Sequence, residues 1–307
     1  MSFSNPSMQP SFRRPRSRVA IRQVSSYDAD LRDLILETLG EFKLGVKGKS
    51  VLLKPNFVGA DPNGAVNTHP AVVAAARECF LHLGASRVLV GEGPALDRDT
   101  EAIVEAIGLR EYLGPLESTF VDLNVDEVRL VSLRTRASRL KKMYLPVSVL
   151  RADIVVSMPK LKTHHWAGVT LSLKNMFGIV PGRCYGWPKN ILHWAGISKS
   201  ILDLNSTVRP DFAIVDGITG MEGDGPLEGL PKSSGILVMG DDPVSVDSTC
   251  ARAMGLLPER VGYLERASLF LGNMKKEKIE QIGESLARVT QRFAVVPEFE
   301  HLKVKKA

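Results

Sequence analysis

Between Lys160 and Asn175 the sequence reads KLKTHHWAGVTLSLKN, three lysines, two adjacent histidines and an asparagine among apolar neighbours such as Val155, Val156, Val169, Leu171 and Leu173. An unpaired charge inside a core is expensive. Such residues either point to solvent from the ends of strands or converge on an anionic ligand. The same pattern recurs along the chain. SVLL is followed by Lys54-Pro55-Asn56, RVLV by Gly91-Glu92-Gly93, FAIV by Asp216-Gly217 and GILVMG by Asp241-Asp242. Open parallel sheets bind ligands at the carboxyl ends of their strands, so these termini predict a shared polar cleft.

The two signs of charge suggest different chemistry. Lys54, Lys160, Lys162 and Lys174 form a cationic set suited to a carboxylate or a phosphate. Asn56, Asn175 and the helix start at Thr68-His69-Pro70 add neutral donors and a favourable dipole. Glu92, between two glycines, is placed to act as an acid or base. Lys162 and His164 are two apart and share a face of an extended segment, with His165 opposite. His193 follows the Gly/Pro-rich stretch from Gly178 to Asn190, which reads as a lid over the site or as a surface connection. Asp216, Glu222, Asp224 and Asp247 make an acidic set. The glycines of DGITGMEGDGP let such carboxylates fold around Mg²⁺ or Mn²⁺, with Asp216, Glu222 and Asp247 as ligands. Pairing with the lysines is an equally good reading of these acids.

Short apolar runs must position these groups. RVAIRQV, SVLLK, RVLVG, DIVVSM, VTLSL, FAIVD and GILVMG read as strands. They alternate with helical patterns at 28–39, 70–83, 100–107, 191–205 and 244–254. That alternation predicts an α/β fold, a largely parallel sheet with helices on both faces, built as one domain over 18–290 or as two interleaved α/β lobes. Residues 1–17 read as a disordered basic tail and 291–307 as a C-terminal tail.

Composition narrows the function classes. The net charge of +6 is misleading, because residues 1–27 hold five arginines and no acid. No aromatic-interleaved basic motif accompanies the charge, so nucleic acid is not the expected partner. No apolar run approaches the roughly 20 residues that span a bilayer, and no secretory leader is visible, which makes cytoplasm the expectation. Cys79, Cys184 and Cys250 are far apart, so this chain alone is not expected to hold an iron–sulfur cluster.

Five stretches, VLLKPNFVG, NTHPAVVAAA, RVLVGEGP, ADIVVSMPKLKTHHWAGVTLSLKNMFG and PDFAIVDGITGMEGDGP, together resemble the domain-of-unknown-function 362 family over Arg18 to Leu257. The lysine-rich PKLKTH…LSLKN core is the most specific part. Members often carry a ferredoxin-like segment or an export signal. Neither is seen in this sequence, so the resemblance implies that any redox role needs a separate iron–sulfur partner. The layout is also similar to that of lactate-racemase-type proteins, which implies carbanion chemistry beside a carboxylate, though no motif carries that likeness. The reading is an enzyme acting on a small carboxylate or phosphate by proton transfer, of isomerase or lyase type, or by redox chemistry. The alternatives are a redox accessory and a non-catalytic anion-binding module.

Overall fold

A computed structural model describes residues 14–59, 61, 63–95 and 99–304. The first strands are β1 (Ser17–Gln23), β2 (Ser50–Pro55), β3 (Arg87–Glu92) and β4 (Phe120–Asp122). A two-stranded hairpin follows, β5 (Val128–Ser132) and β6 (Lys142–Pro146), with the basic run from Arg134 at its turn. Next come β7 (Ile154–Met158), β8 (Lys160–His164), β9 (Gly168–Thr170), β10 (Phe212–Glu222), β11 (Leu230–Gly240) and β12 (Ile279–Gly283). Ten of these strands form one sheet in the order β12-β1-β11-β10-β7-β2-β3-β4, with β8 and β9 branching from β10. The centre of the sheet, β10-β7-β2-β3-β4, is parallel throughout.

Alternation along each strand sorts the core into two layers. Leu52, Val155, Val215 and Val238 face one side, packed with the helices Ile197–Thr207 and Pro243–Ala253. Val51, Leu53, Val156 and Ile214 face the other, packed with the helices Leu31–Gly40 and Pro70–His82. Strands buried on both faces have no polar alternation to display, which is why their sequences are continuous apolar runs.

Three sequence expectations need correction. β11 runs antiparallel to both β10 and β1, so its end at Asp241-Asp242 lies at the opposite edge from the carboxyl ends of the parallel strands. There Asp241 pairs with Arg14, and Asp242 caps the helix Pro243–Ala253. VTLSL is not one strand: β9 stops at Thr170 and a helical turn begins at Ser172. The Asp247 carboxylate accepts from Ser172 N at 2.8 Å and Leu173 N at 3.0 Å, satisfying two free donors of that turn. The helix read over 191–205 is two, Asn190–Trp194 and Ile197–Thr207, broken at Gly196, whose φ of +95° only glycine adopts readily.

Residues 1–13 of the basic tail lie outside the described residues. β1 begins within the remainder, at Ser17, which is buried. Phe293, Val295 and Leu302, in the segment read as a C-terminal tail, are buried in the first core layer. Among the described residues no helix is long and apolar enough to cross a membrane.

Candidate functional site

The carboxyl ends of β2 and β3, strand β8 and the segment from Gly168 to His193 enclose a cavity of about 370 Å³. Its lining includes Lys162, Lys174, Lys189, Glu92, His164 and His193. Asn56, Thr170 and Asn175 line it too.

The lining carboxylate Glu92 belongs to an ion pair whose lysine lies behind it. Lys54 Nζ, fully buried, donates to Glu92 Oε2 at 2.6 Å, to Pro55 O at 2.7 Å and to Asn175 Oδ1 at 3.1 Å. Glu92 also accepts from Phe57 N at 3.0 Å and Gly93 N at 2.9 Å. Gly178 lies directly over this pair, where a Cβ would collide with both Glu92 Oε1 and Lys54 Nζ. Burial lowers the Lys54 pKa, against the opposing pull of Glu92.

The other lysines of the cavity have no carboxylate partner among the described residues. Lys162, buried, donates to Val66 O at 2.7 Å. Burial, then the charges of Lys160 and Lys174, push its pKa down to about 7. Lys189, also buried, donates to Gly93 O at 2.5 Å, and burial pushes it down to about 7. Lys174 sits 4.2 Å from the centre of the Phe177 ring, and burial followed by Lys54 lowers it to about 8. Taking an ammonium out of water costs several kcal/mol unless a counter-charge arrives.

His164 Nδ1 accepts from Trp166 N at 3.0 Å and Ala167 N at 3.3 Å, so the neutral ring carries its proton on Nε2. Burial, then Lys174, His165 and Lys162, hold its pKa well below the ordinary histidine range. The pKa of His193 is lowered by burial and by Lys174. Three buried polar atoms of the lining, Asn56 Oδ1, Thr170 Oγ1 and His193 Nδ1, make no hydrogen bond among the described residues. Buried polar atoms are rarely left unpaired, so these three are open to water or to a ligand within the cavity.

Not every residue read from the sequence comes to this place. Lys160 is two residues before Lys162, yet its Nζ bonds Asp216 at 2.8 Å and Tyr27 OH at 3.0 Å, outside the cavity lining. Burial alone would lower its pKa, but Asp216 and Tyr27 outweigh it and the net shift is upward. Thr68 is spent on the backbone, accepting from Asn56 N and donating to Met158 O. His69 caps the helix Pro70–His82, stacks on Tyr27 at 3.8 Å and donates its backbone N–H to Asp216. That helix start therefore serves the Lys160–Asp216 cluster.

The three carboxylates read as metal ligands are not brought together. Asp216 holds Lys160, Glu222 pairs with Lys232 at 3.1 Å, and Asp247 holds the turn at Ser172. Among the described residues no three His, Cys, Asp or Glu side chains are grouped to hold a metal ion. Asp224 pairs with His165 at 2.9 Å at the edge of the cavity. The alternative reading of the acids, pairing with the lysines of the cationic set, holds for Asp216 on Lys160, whereas Glu222 pairs with Lys232 outside that set. A larger groove of about 1360 Å³ elsewhere mixes both signs, and its Lys232 and Lys303 are already paired.

Lys189, Thr170 and Trp166 also line the cavity, without a distinctive local sequence pattern. Lys189 lies in the Gly/Pro-rich stretch read as a lid, and its left-handed φ of +64° turns the chain there. The only sequence signal for it was membership of that stretch.

Comparison with known proteins identifies the family. The family model described as Domain of unknown function (DUF362) matches residues 51–252, which contain every cavity lysine. A thylakoid-associated protein of Synechocystis sp. is 31% identical over 258 residues, covering 79% of this chain and 76% of that protein. Two solved structures are distantly similar. The lactate racemase apoprotein of Thermoanaerobacterium thermosaccharolyticum has a TM-score of 0.45 at 13% identity, over 83% of this chain and 60% of that one. A Thermotoga maritima protein has a TM-score of 0.42 at 12% identity, over 75% of this chain and 59% of that one. The chain thus spans less than two thirds of either solved protein. It belongs to the DUF362 family.

Proposed function

We propose that this member of the DUF362 family is an enzyme that binds a small carboxylate or phosphate in the lysine cavity and moves a proton beside the anionic group. The observation that carries the reading is the convergence on one cavity of the buried Lys162 and Lys189 and the half-buried Lys174, none with a carboxylate partner among the described residues. An anionic ligand supplies the missing counter-charge and accepts from the unpaired Thr170 hydroxyl and His193 ring nitrogen, whereas the unpaired Asn56 Oδ1 can only accept from a donor elsewhere on the ligand.

The depressed lysines suit both halves of a proton transfer. A lysine whose pKa is near 7 is partly neutral at physiological pH and can accept a proton from carbon. The lysines that stay protonated stabilise the charge that then develops on the carboxylate. The His164 Nε2–H adds a neutral donor in a fixed tautomer. Glu92 is engaged by Lys54 and two backbone N–H groups, which suits it to holding Lys54 in place more than to exchanging protons with substrate. Lys160 and Asp216 take no part in this reading.

The test is solvent exchange. Small carboxylates and phosphate esters are incubated with the protein in D₂O and followed by proton NMR. Loss of the carbon-bound proton beside the anionic group in at least one compound, abolished by Lys162→Met and by Lys174→Met, supports the proposal. Anion binding without exchange in any compound would reduce the protein to a binding module.

A further inference from the structure

The cavity has two chemically distinct parts. Its polar part is made by Lys162, Lys174, Lys189 and the unpaired Asn56 and Thr170 atoms. The rest is apolar, formed by Phe57, Val58, Trp166, Phe177, Pro188 and Leu227. Acetate or inorganic phosphate would occupy only the polar part. A volume of about 370 Å³ is that of a site for a larger molecule, since ligand pockets begin near 300 Å³.

Trp166 is the most telling of the apolar residues. It is 61% exposed although it follows a fully buried strand, and it meets His193 and His165 edge-on, with ring centres 5.1 and 4.7 Å away. An indole left in water at a cavity lining is costly area that a ligand ring would cover. Two carboxylates, Asp224 and Glu228, also line the cavity and are exposed. They repel a second negative charge on the ligand, which is selection by exclusion.

We infer that the ligand is a monoanionic acid with an aromatic or branched apolar body, its anionic head on the lysines and its body against Trp166, and that Asp224 and Glu228 exclude dicarboxylates. The inference rests on the proposed anion site and adds the ligand class to it.

Isothermal titration with acetate, phenylacetate and succinate tests it, on the wild type, Trp166→Ala and the double variant Asp224→Asn/Glu228→Gln. Trp166 is exposed, so its removal leaves the core intact. Phenylacetate binds the wild type about tenfold or more tighter than acetate. Trp166→Ala removes most of that gain and leaves acetate unchanged. Succinate binds more weakly than acetate, and the double variant narrows the gap. Equal affinity for acetate and phenylacetate, or a phenylacetate preference that survives in Trp166→Ala, overturns the inference while leaving the anion site standing. Failure of all three acids to bind the wild type overturns the inference, and failure of inorganic phosphate as well overturns the anion site.

Discussion

Lys160 and Lys162 are both fully buried and lie two residues apart on β8, yet they enter opposite environments. Lys160 meets Asp216 and Tyr27, is held charged, and belongs to a cluster that ties β8, β10 and the start of the helix Pro70–His82 together. Among the described residues Lys162 donates to backbone carbonyls alone, and its pKa falls to about 7. The bulge in the β8–β10 pairing separates the two: Lys160 is opposite Asp216, whereas Lys162 is opposite Met221. A buried lysine on its own says little about function. What marks a site is the absence of a counter-charge, which the fold must offset unless a ligand brings one.

The largest expected effect lies on the Lys160 side. Asp216→Asn leaves an ammonium buried beside Tyr27 with no carboxylate, and urea denaturation should record a loss of roughly 3–5 kcal/mol with no change in anion binding. A mild effect would show that the cluster is dispensable and blur the contrast between the two lysines.

Glu92→Gln comes next. It removes the partner of Lys54, but Lys54 already has a lowered pKa and can shed its proton, so the expected loss is smaller, about 1–3 kcal/mol. Solvent exchange on the eventual substrate should fall less than in Lys162→Met. An unchanged stability together with abolished exchange would instead make Glu92 the group that moves the proton.

The third contrast lies in the pH dependence of the ligand-free protein. Lys162 and Lys189 titrate near 7 when folded, against an ordinary 10.5. Between these values the unfolded chain holds protons that the folded one lacks, so stability rises with pH. Each lysine contributes up to about 1.4 kcal/mol per pH unit inside that window. Lys160, shifted upward, contributes nothing there, since its stabilisation is lost only above 10.5. Denaturation midpoints from pH 7 to 9 should therefore rise in the wild type and rise less in Lys162→Met. Equal slopes would mean that Lys162 is not the depressed group.

The sheet was legible in the sequence because buried parallel strands are apolar throughout, and β2, β3, β7 and β10 stand out for that reason. So were most of the site residues, since strand ends must expose whatever follows an apolar run. Which of them meet was not legible. That depended on the bulge separating Lys160 from Lys162 and on the reversal of β11, both long-range properties of pairing. Lys189 was hidden for another reason: a lysine in a Gly/Pro-rich loop has the same local signature whether the loop folds inward or into water.

The most direct test of the central claim is proton uptake on anion binding, measured near pH 8 by calorimetry in buffers of different ionisation enthalpy, with phenylacetate as the probe. Near that pH the cavity lysines are substantially neutral, and an incoming anion favours their charged forms. The account predicts binding with net proton uptake, affinity that weakens as pH rises from 7 to 9, and a clear reduction of that uptake in Lys162→Met. Binding with no proton uptake and no dependence on pH would contradict it, because the lysines would then be neither depressed nor in contact with the anion.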